Sequence, residues 1–300
     1  MKIHVIFIST LLLSIQAQCF TFSNNVIRTA FKVITTTKGV KWPSVSESTR
    51  RKTLKDCQHF DETVSFPEYY EKPFHAYDNG NLDPVAAIEV MAATEGVLAF
   101  HYPHKSGSEA NDYIRQKFCG YTRRELEKSE STIRPKTVVD MGCGIGISTN
   151  FLAKTCPSAT AVYGLDLSPY FLDYAVRKKP IVYLHRNIED TKMFDGSVDL
   201  ISISYVFHEL PLEASRQLLR ECHRILKPGG ILAVLDMSPE IEATNRSLKY
   251  IFDRTEPYLD DFQEFCDVKN DILRDIGFEM PHEVTHFRRT MMLFSRKNIH

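Results

Sequence analysis

Three hundred residues, 43% hydrophobic and 25% charged, suffice for one large domain with its own core plus an accessory piece. The net charge of −1 hides an asymmetry. Residues 1–55 hold nine Lys or Arg against one acid, Glu47, and taking that +8 from the total leaves the rest of the chain at −9. An acidic body argues against a duplex nucleic-acid partner, because phosphate binding needs a basic surface.

At the N-terminus, Met1–Lys2 precedes an uncharged apolar run from Val5 to Leu13, too short to span a bilayer as a helix. Ala17-Gln18-Cys19 then offers small residues at a cleavage site. Residues 1–19 therefore read as a signal peptide rather than a short membrane anchor or a buried first helix, and no transmembrane anchor is expected after processing. Residues 20–55 read as a transit-peptide-like segment, with eleven Ser or Thr and eight Lys or Arg between 21 and 55. The pair resembles the bipartite presequence of algae with secondary plastids, so a plastid is the expected compartment. The rival is a secreted or endomembrane-lumen protein. Such a protein is expected to use its cysteines as a disulfide framework, and the spacing of the seven present gives no sign of one. They also form no C-x-x-C pair and no Cys/His zinc spacing, so no metal site is expected.

Residues 56–130 read as a helical accessory or cap segment. Asp83-Pro84 is an N-cap and first helical residue, and the run ends at His101-Tyr102-Pro103. Arg115 to Lys128 is a second helix candidate. From 131 to 300 strand and helix signals alternate, which predicts an α/β domain with a mostly parallel sheet. Strands are expected at 136–141, 161–165, 181–185, 198–206 and 231–236. Helices are expected from 148 to 154, from Pro169 to about Lys178, from 212 to 226, and from 266 to 276, where Gly277 stops the last. Lys227-Pro228-Gly229-Gly230 reads as a turn, and 283–287 with 290–295 as a closing hairpin.

The first strand of this domain runs into Asp140-Met141-Gly142-Cys143-Gly144-Ile145-Gly146. Glycines at alternate positions let the backbone turn tightly and let a ligand lie against it. The following helix offers free N–H groups. A dinucleotide fingerprint would need glycine at 147, where the chain has Ile147.

This D-x-G-x-G-x-G run resembles motif I of the class I S-adenosylmethionine-dependent methyltransferases, and later motifs follow in the same order over about residues 136–297. The resemblance implies a Rossmann-like, seven-stranded, mostly parallel sheet with an antiparallel C-terminal hairpin, an N-terminal helical cap, and S-adenosylmethionine as cofactor. It further implies that Asp140 faces the methionine end of the cofactor, directly or through water, and that Gly142, Cys143, Gly144 and Gly146 wrap it. Asp166, 24 residues after Gly142, is expected to accept the ribose hydroxyls beside Leu167. It is free to do so because Ser168 with Pro169 caps the next helix. Asn187 and Ile188 occupy the adenine positions, and Ser204 stands at the carboxyl end of the fourth strand. Within the class the chain looks similar to the small-molecule, methyltransferase type 11 branch of quinone-biosynthesis type, and to plant chloroplast methyltransferase-like proteins. The latter similarity includes Tyr69–Asp78 and Gly80–Thr94.

The sulfonium makes its methyl carbon electrophilic already. The protein must align a small-molecule nucleophile and account for a proton. His208 is the candidate base, or else it only holds structure or substrate. Tyr205 and Glu209 are weaker candidates, and Tyr70, His75, Tyr77 and His101 are expected to line the cap or to pack. Two other readings stand beside this one: a non-catalytic binding or assembly protein on the same fold, and a nucleotide-dependent oxidoreductase, which Ile147 and the terminal hairpin disfavour.

Overall fold

The computed structural model describes residues 23–128, 134–175, 181–239, 246–286 and 289–299. Residues 1–19, read as the signal peptide, lie outside it.

Seven strands form one sheet: β1 (Thr137–Met141), β2 (Ala161–Asp166), β3 (Ile181–His185), β4 (Val198–Ser204), β5 (Leu226–Met237), β6 (His282–His286) and β7 (Thr290–Arg296). Their order is β3-β2-β1-β4-β5-β7-β6. The first five are mutually parallel, and β7 runs antiparallel to both neighbours. This is the doubly wound, Rossmann-like sheet with an inserted antiparallel strand that the motif order implies.

The central strands are apolar on both faces because both faces are covered. Val139, Met141, Leu165, Ile201, Ile203, Leu232 and Val234 point to one side. There they meet Leu218 and Cys222 of α7 (Leu212–Ile225) and Phe265 and Leu273 of α9 (Leu259–Ile276). Val138, Leu200, Ala233 and Met292 point to the other side, under Ile114 and Phe118 of α4 (Gly107–Glu127) and Leu152 of α5 (Ile147–Thr155).

The cap is built on α3 (Pro84–His101). Asp83 accepts the Val85 N–H at 2.8 Å, Pro84 is the first helical residue, and the helix stops at Tyr102 before Pro103. It is long and apolar enough by composition to cross a membrane. In this fold that composition reflects packing against neighbours, as for any helix apolar on all sides. Its neighbours include α1 (Asn24–Thr36) and the short α2 (Glu47–Arg50), both from the transit-peptide-like segment. A Cβ at Gly96 would stand 2.9 Å from Phe31 Cζ and Thr35 Cγ2, so α1 approaches α3 more closely than any side chain allows.

Several boundaries differ from expectation. The helix expected from Arg115 starts at Gly107, where Ser106 and Glu109 form a capping box. Residues 57–82 of the expected helical segment are extended chain and 3₁₀ turns. Helix α6 (Pro169–Tyr174) ends sooner, and residues 176–180 lie outside the described chain. The Lys227–Gly230 turn is drawn into the start of β5, where Leu226 pairs with Val198 before a register shift. A helix not expected, α8 (Arg246–Thr255), precedes α9, which itself begins at Leu259 rather than Cys266.

Candidate active site

Strand register sets the site. Met141 pairs with Leu165 and Ile203, Asp166 with His185, and Ser204 with Leu235, so the carboxyl ends of five parallel strands form one edge. Ligands of open α/β sheets bind outside that edge. Here the edge faces the cap across a cavity of about 290 Å³.

The glycine loop forms its floor. Gly142, Gly144 and Gly146 all have positive φ, at 69°, 52° and 79°. A Cβ on Gly142 would sit 2.4 Å from Val206 Cγ2, and one on Gly146 would sit 2.1 Å from the Tyr183 hydroxyl. Gly144 has open space where its Cβ would be, which leaves room for a ligand. Gly142, Cys143 and Gly144 line the cavity, but Gly146 does not; it serves the loop's turn into α5.

Asp140 is placed differently from expectation. It is fully buried beneath the loop and does not line the cavity; Ser148 and Thr149 donate their hydroxyls to its Oδ2 at 2.7 and 2.6 Å. Burial lifts its pKa to about 6. It fixes the first turn of α5, and Ser148 stands at the cavity in its place.

Asp166 does reach the cavity, but it is not free. Its Oδ2 accepts the Gly144 N–H at 2.7 Å and its Oδ1 accepts the Ser168 N–H at 2.8 Å. Each oxygen keeps a further lone pair for a hydroxyl donor. Burial raises its pKa to about 7, against the lowering effect of those two N–H groups. Leu167, Asn187, Ile188 and Ser204 line the same cavity. The Asn187 amide oxygen already accepts the Glu189 N–H at 2.9 Å. Ser204 Oγ is buried without a hydrogen bond.

His208 lines the same cavity, just after β4. Its Nδ1 meets Asp236 Oδ1 at 2.7 Å. Asp236, at 0% exposure, is held in turn by the N–H groups of Val206, Phe207 and Met237. The pairing fixes the ring and leaves Nε2 for the cavity. Burial works against the imidazolium of His208, but Asp236 raises the pKa overall. Tyr205 before it holds a φ of +60°, unusual for an aromatic residue, and its N–H donates to Leu235 O at 2.7 Å.

Sequence reasoning missed Arg115 and the lining residues of the N-terminal segment, whereas His75 and His101, expected to line the cap or to pack, do line the cavity. Arg115 is buried in α4, beside Ser148 and Ser204 on the wall, and donates to Asn111 at 2.8 Å. Burial lowers its pKa. His75 meets Glu256 at 2.9 Å and Glu209 at 3.0 Å. Burial opposes its charge, yet the two carboxylates lift its pKa to about 10. Ile27, Arg28, Phe31 and Trp42 also line the cavity, from the N-terminal segment. His101 is neutral there, its pKa lowered to about 3 by burial and by Arg289. Contacts this far apart in sequence leave no local spacing signal; Arg115 alone, a cation inside an amphipathic helix, was open to suspicion.

Residues 139–234 match the family described as a methyltransferase domain. The chain is 37% identical over 101 residues to an uncharacterized methyltransferase of Synechocystis sp., covering 33% of this chain and 46% of that protein. It is 41% identical over 100 residues to the trans-aconitate 2-methyltransferase of Methylobacterium nodulans, covering 33% and 38%. It thus spans less than half the length of either relative. A solved structure from Nostoc punctiforme, assigned as an O-methyltransferase, superposes with a TM-score of 0.52 at 16% identity, over 72% of this chain and 61% of that one. At that identity the likeness is one of fold.

Proposed function

For a chain that carries a class I methyltransferase domain, we propose transfer of a methyl group from S-adenosylmethionine to a small-molecule acceptor held under the cap. One observation carries the reading: the glycine loop, Asp166 and Ile188 share a single cavity with His208 and with residues of the cap. Adenine lies by Asn187 and Ile188, the ribose at Asp166, and the methionine end toward Ser204, Ser148 and Arg115. The Arg115 guanidinium is the partner for the cofactor's carboxylate. The methyl carbon then points to the end where His208 and His75 stand. The acceptor has an apolar body, since Phe31, Trp42, Phe74, Ile251 and Phe252 line the same cavity. His208 presents Nε2 to the acceptor's reacting atom.

Calorimetry with the full chain tests this. One-to-one binding of S-adenosylmethionine and S-adenosylhomocysteine, with none of NADPH, is expected. Binding of NADPH instead would restore the oxidoreductase reading. Tight cofactor binding with no methyl transfer to any of a broad set of hydroxylated, carboxylated and quinonoid acceptors would favour the binding-protein reading.

We also propose a plastid as the compartment. The signal-peptide-like residues 1–19, the first half of a bipartite presequence, support it. So do six described cysteines, all buried and all free, which suit a reducing interior.

A further inference from the structure

We propose that His75, His208 and Glu209 bind one divalent transition-metal cation at the acceptor end of the cavity, and that the acceptor's reacting atom is an oxygen that the cation binds. The cation site follows from geometry alone; the role given to the acceptor oxygen rests on the methyltransferase reading.

One ligand atom from each of the three side chains lies within 4.8 Å of the others. Glu209 Oε1 stands 3.0 Å from His75 Nε2 and 4.0 Å from His208 Nε2. Both histidines have their other nitrogen committed in the same way. His208 Nδ1 meets Asp236 Oδ1 at 2.7 Å, and His75 Nδ1 meets Glu256 Oε1 at 2.9 Å. Both carboxylates are buried, at 0% and 6% exposure. A metal-ligating histidine almost always gives its second nitrogen to a carboxylate, carbonyl or water, which fixes the tautomer and aims the first. Two such pairs converging on one carboxylate are more than a pair of ion contacts requires. Glu209 is itself steadied by Asn81, whose amide donates to Oε2 at 2.9 Å.

The backbone spends strain to bring these groups together. His75 and Ala76 hold φ of +51° and +63°, inside a tight turn in which Phe74 and Tyr77 exchange backbone hydrogen bonds at 3.0 and 2.8 Å. Such conformations cost energy and persist where the surroundings fix them. The His75 N–H is tied to Thr255 O at 2.9 Å, next to Glu256. The turn thus belongs to the cap, while His208 and Glu209 belong to the body.

Two imidazoles and one carboxylate suit Zn²⁺, Co²⁺, Mn²⁺ or Fe²⁺, not Mg²⁺ or Ca²⁺, which take oxygen ligands. Three protein ligands leave positions open to the cavity that all three side chains line. An acceptor hydroxyl bound there loses its proton to solvent more readily. Its oxygen lone pair then forms the bond to the methyl carbon, the carbon–sulfur bond breaks, and that electron pair stays on sulfur as the neutral thioether. With the cation in place, His208 is a ligand rather than a base.

The test is a Co²⁺ titration of chelator-treated full chain, read by visible absorption and calorimetry. One Co²⁺ per chain is expected, with two exchangeable imidazole N–H proton signals shifted by the paramagnetic ion, one from each Nδ1–H. His75→Asn, which keeps a residue that tolerates positive φ, and Glu209→Gln should each weaken Co²⁺ binding at least tenfold while S-adenosylhomocysteine affinity changes less than twofold. No bound Co²⁺, no shifted imidazole signals in the unmutated chain, or equal affinity in both variants would overturn the site. Loss of S-adenosylhomocysteine binding by the unmutated chain would instead strike the methyltransferase reading. One Co²⁺ bound, but acceptors methylated equally fast in chelated protein, would overturn the oxygen-activation role.

Discussion

Asp166 carries the sharpest prediction at the scale of single residues. Its carboxyl sits at about pKa 7 before ligand arrives, because burial opposes the charge. Only the ionised form accepts both ribose hydroxyls, so S-adenosylhomocysteine affinity should fall about tenfold from pH 8 to pH 6, by proton linkage. Asp166→Asn should bind at least tenfold more weakly at pH 8 and show no such slope; an unchanged slope would remove Asp166 from the ribose. The same shift acts on the ligand-free fold with opposite sign. A raised carboxyl pKa stabilises the fold at low pH, and that contribution is lost as pH rises through 7. Gly146→Ala places a Cβ at φ +79° and 2.1 Å from the Tyr183 hydroxyl. The backbone alone should cost about 1–2 kcal/mol, and the clash adds to it, so a lower thermal midpoint is expected in calorimetry. The cavity-lining residues Asp166, Asn187, Ile188 and Ser204 and those of the glycine loop were legible because they stand at or just beyond the carboxyl ends of the parallel strands. Asp140 stands beneath the loop for a reason no motif carries: a motif gives position along a strand, but whether a carboxylate faces ligand or helix depends on partners such as Ser148 and Thr149.

Secondary-structure elements were read best where a local device marks them. Asp83-Pro84 announced α3, and Gly277, with φ of +107°, closed α9. Ser106 and Glu109 announce α4 equally well, yet its first turn was lost among polar residues. Helix α1 was hidden by composition, since the Ser, Thr and basic residues of an address also suit a surface helix with one apolar face. Its place in the fold is measurable. Lys32 of α1 forms an ion pair with Glu89 of α3, whose exposure is 1%, and the Tyr77 hydroxyl donates to the same carboxylate at 2.7 Å. Lys32→Met strips a buried charge of its cation and should destabilise by about 2–3 kcal/mol, less than for a fully enclosed pair because Lys32 is partly solvated. An unchanged denaturation midpoint would mean that α1 does not rest on α3.

The whole molecule closes on a cavity whose walls run from Ile27 to Arg289. That span constrains processing. If the N-terminal address is removed, the cut should precede Asn24, because a later one would shorten α1, which carries Ile27 and Phe31 to the cavity wall. Mass spectrometry of the mature protein should find a first residue between about 19 and 24, near the small residues that mark a cleavage site. A start beyond Phe31 would overturn this. The order of synthesis matters as well. Ile27 and Phe31 leave the ribosome first, whereas the segments that carry Ile251, Phe252 and Arg289 leave last. The apolar face of the roof must therefore wait, uncovered, for a floor that does not yet exist, and exposed surface of that kind invites aggregation. A newborn chain of this design depends on being shielded until its own C-terminal half arrives.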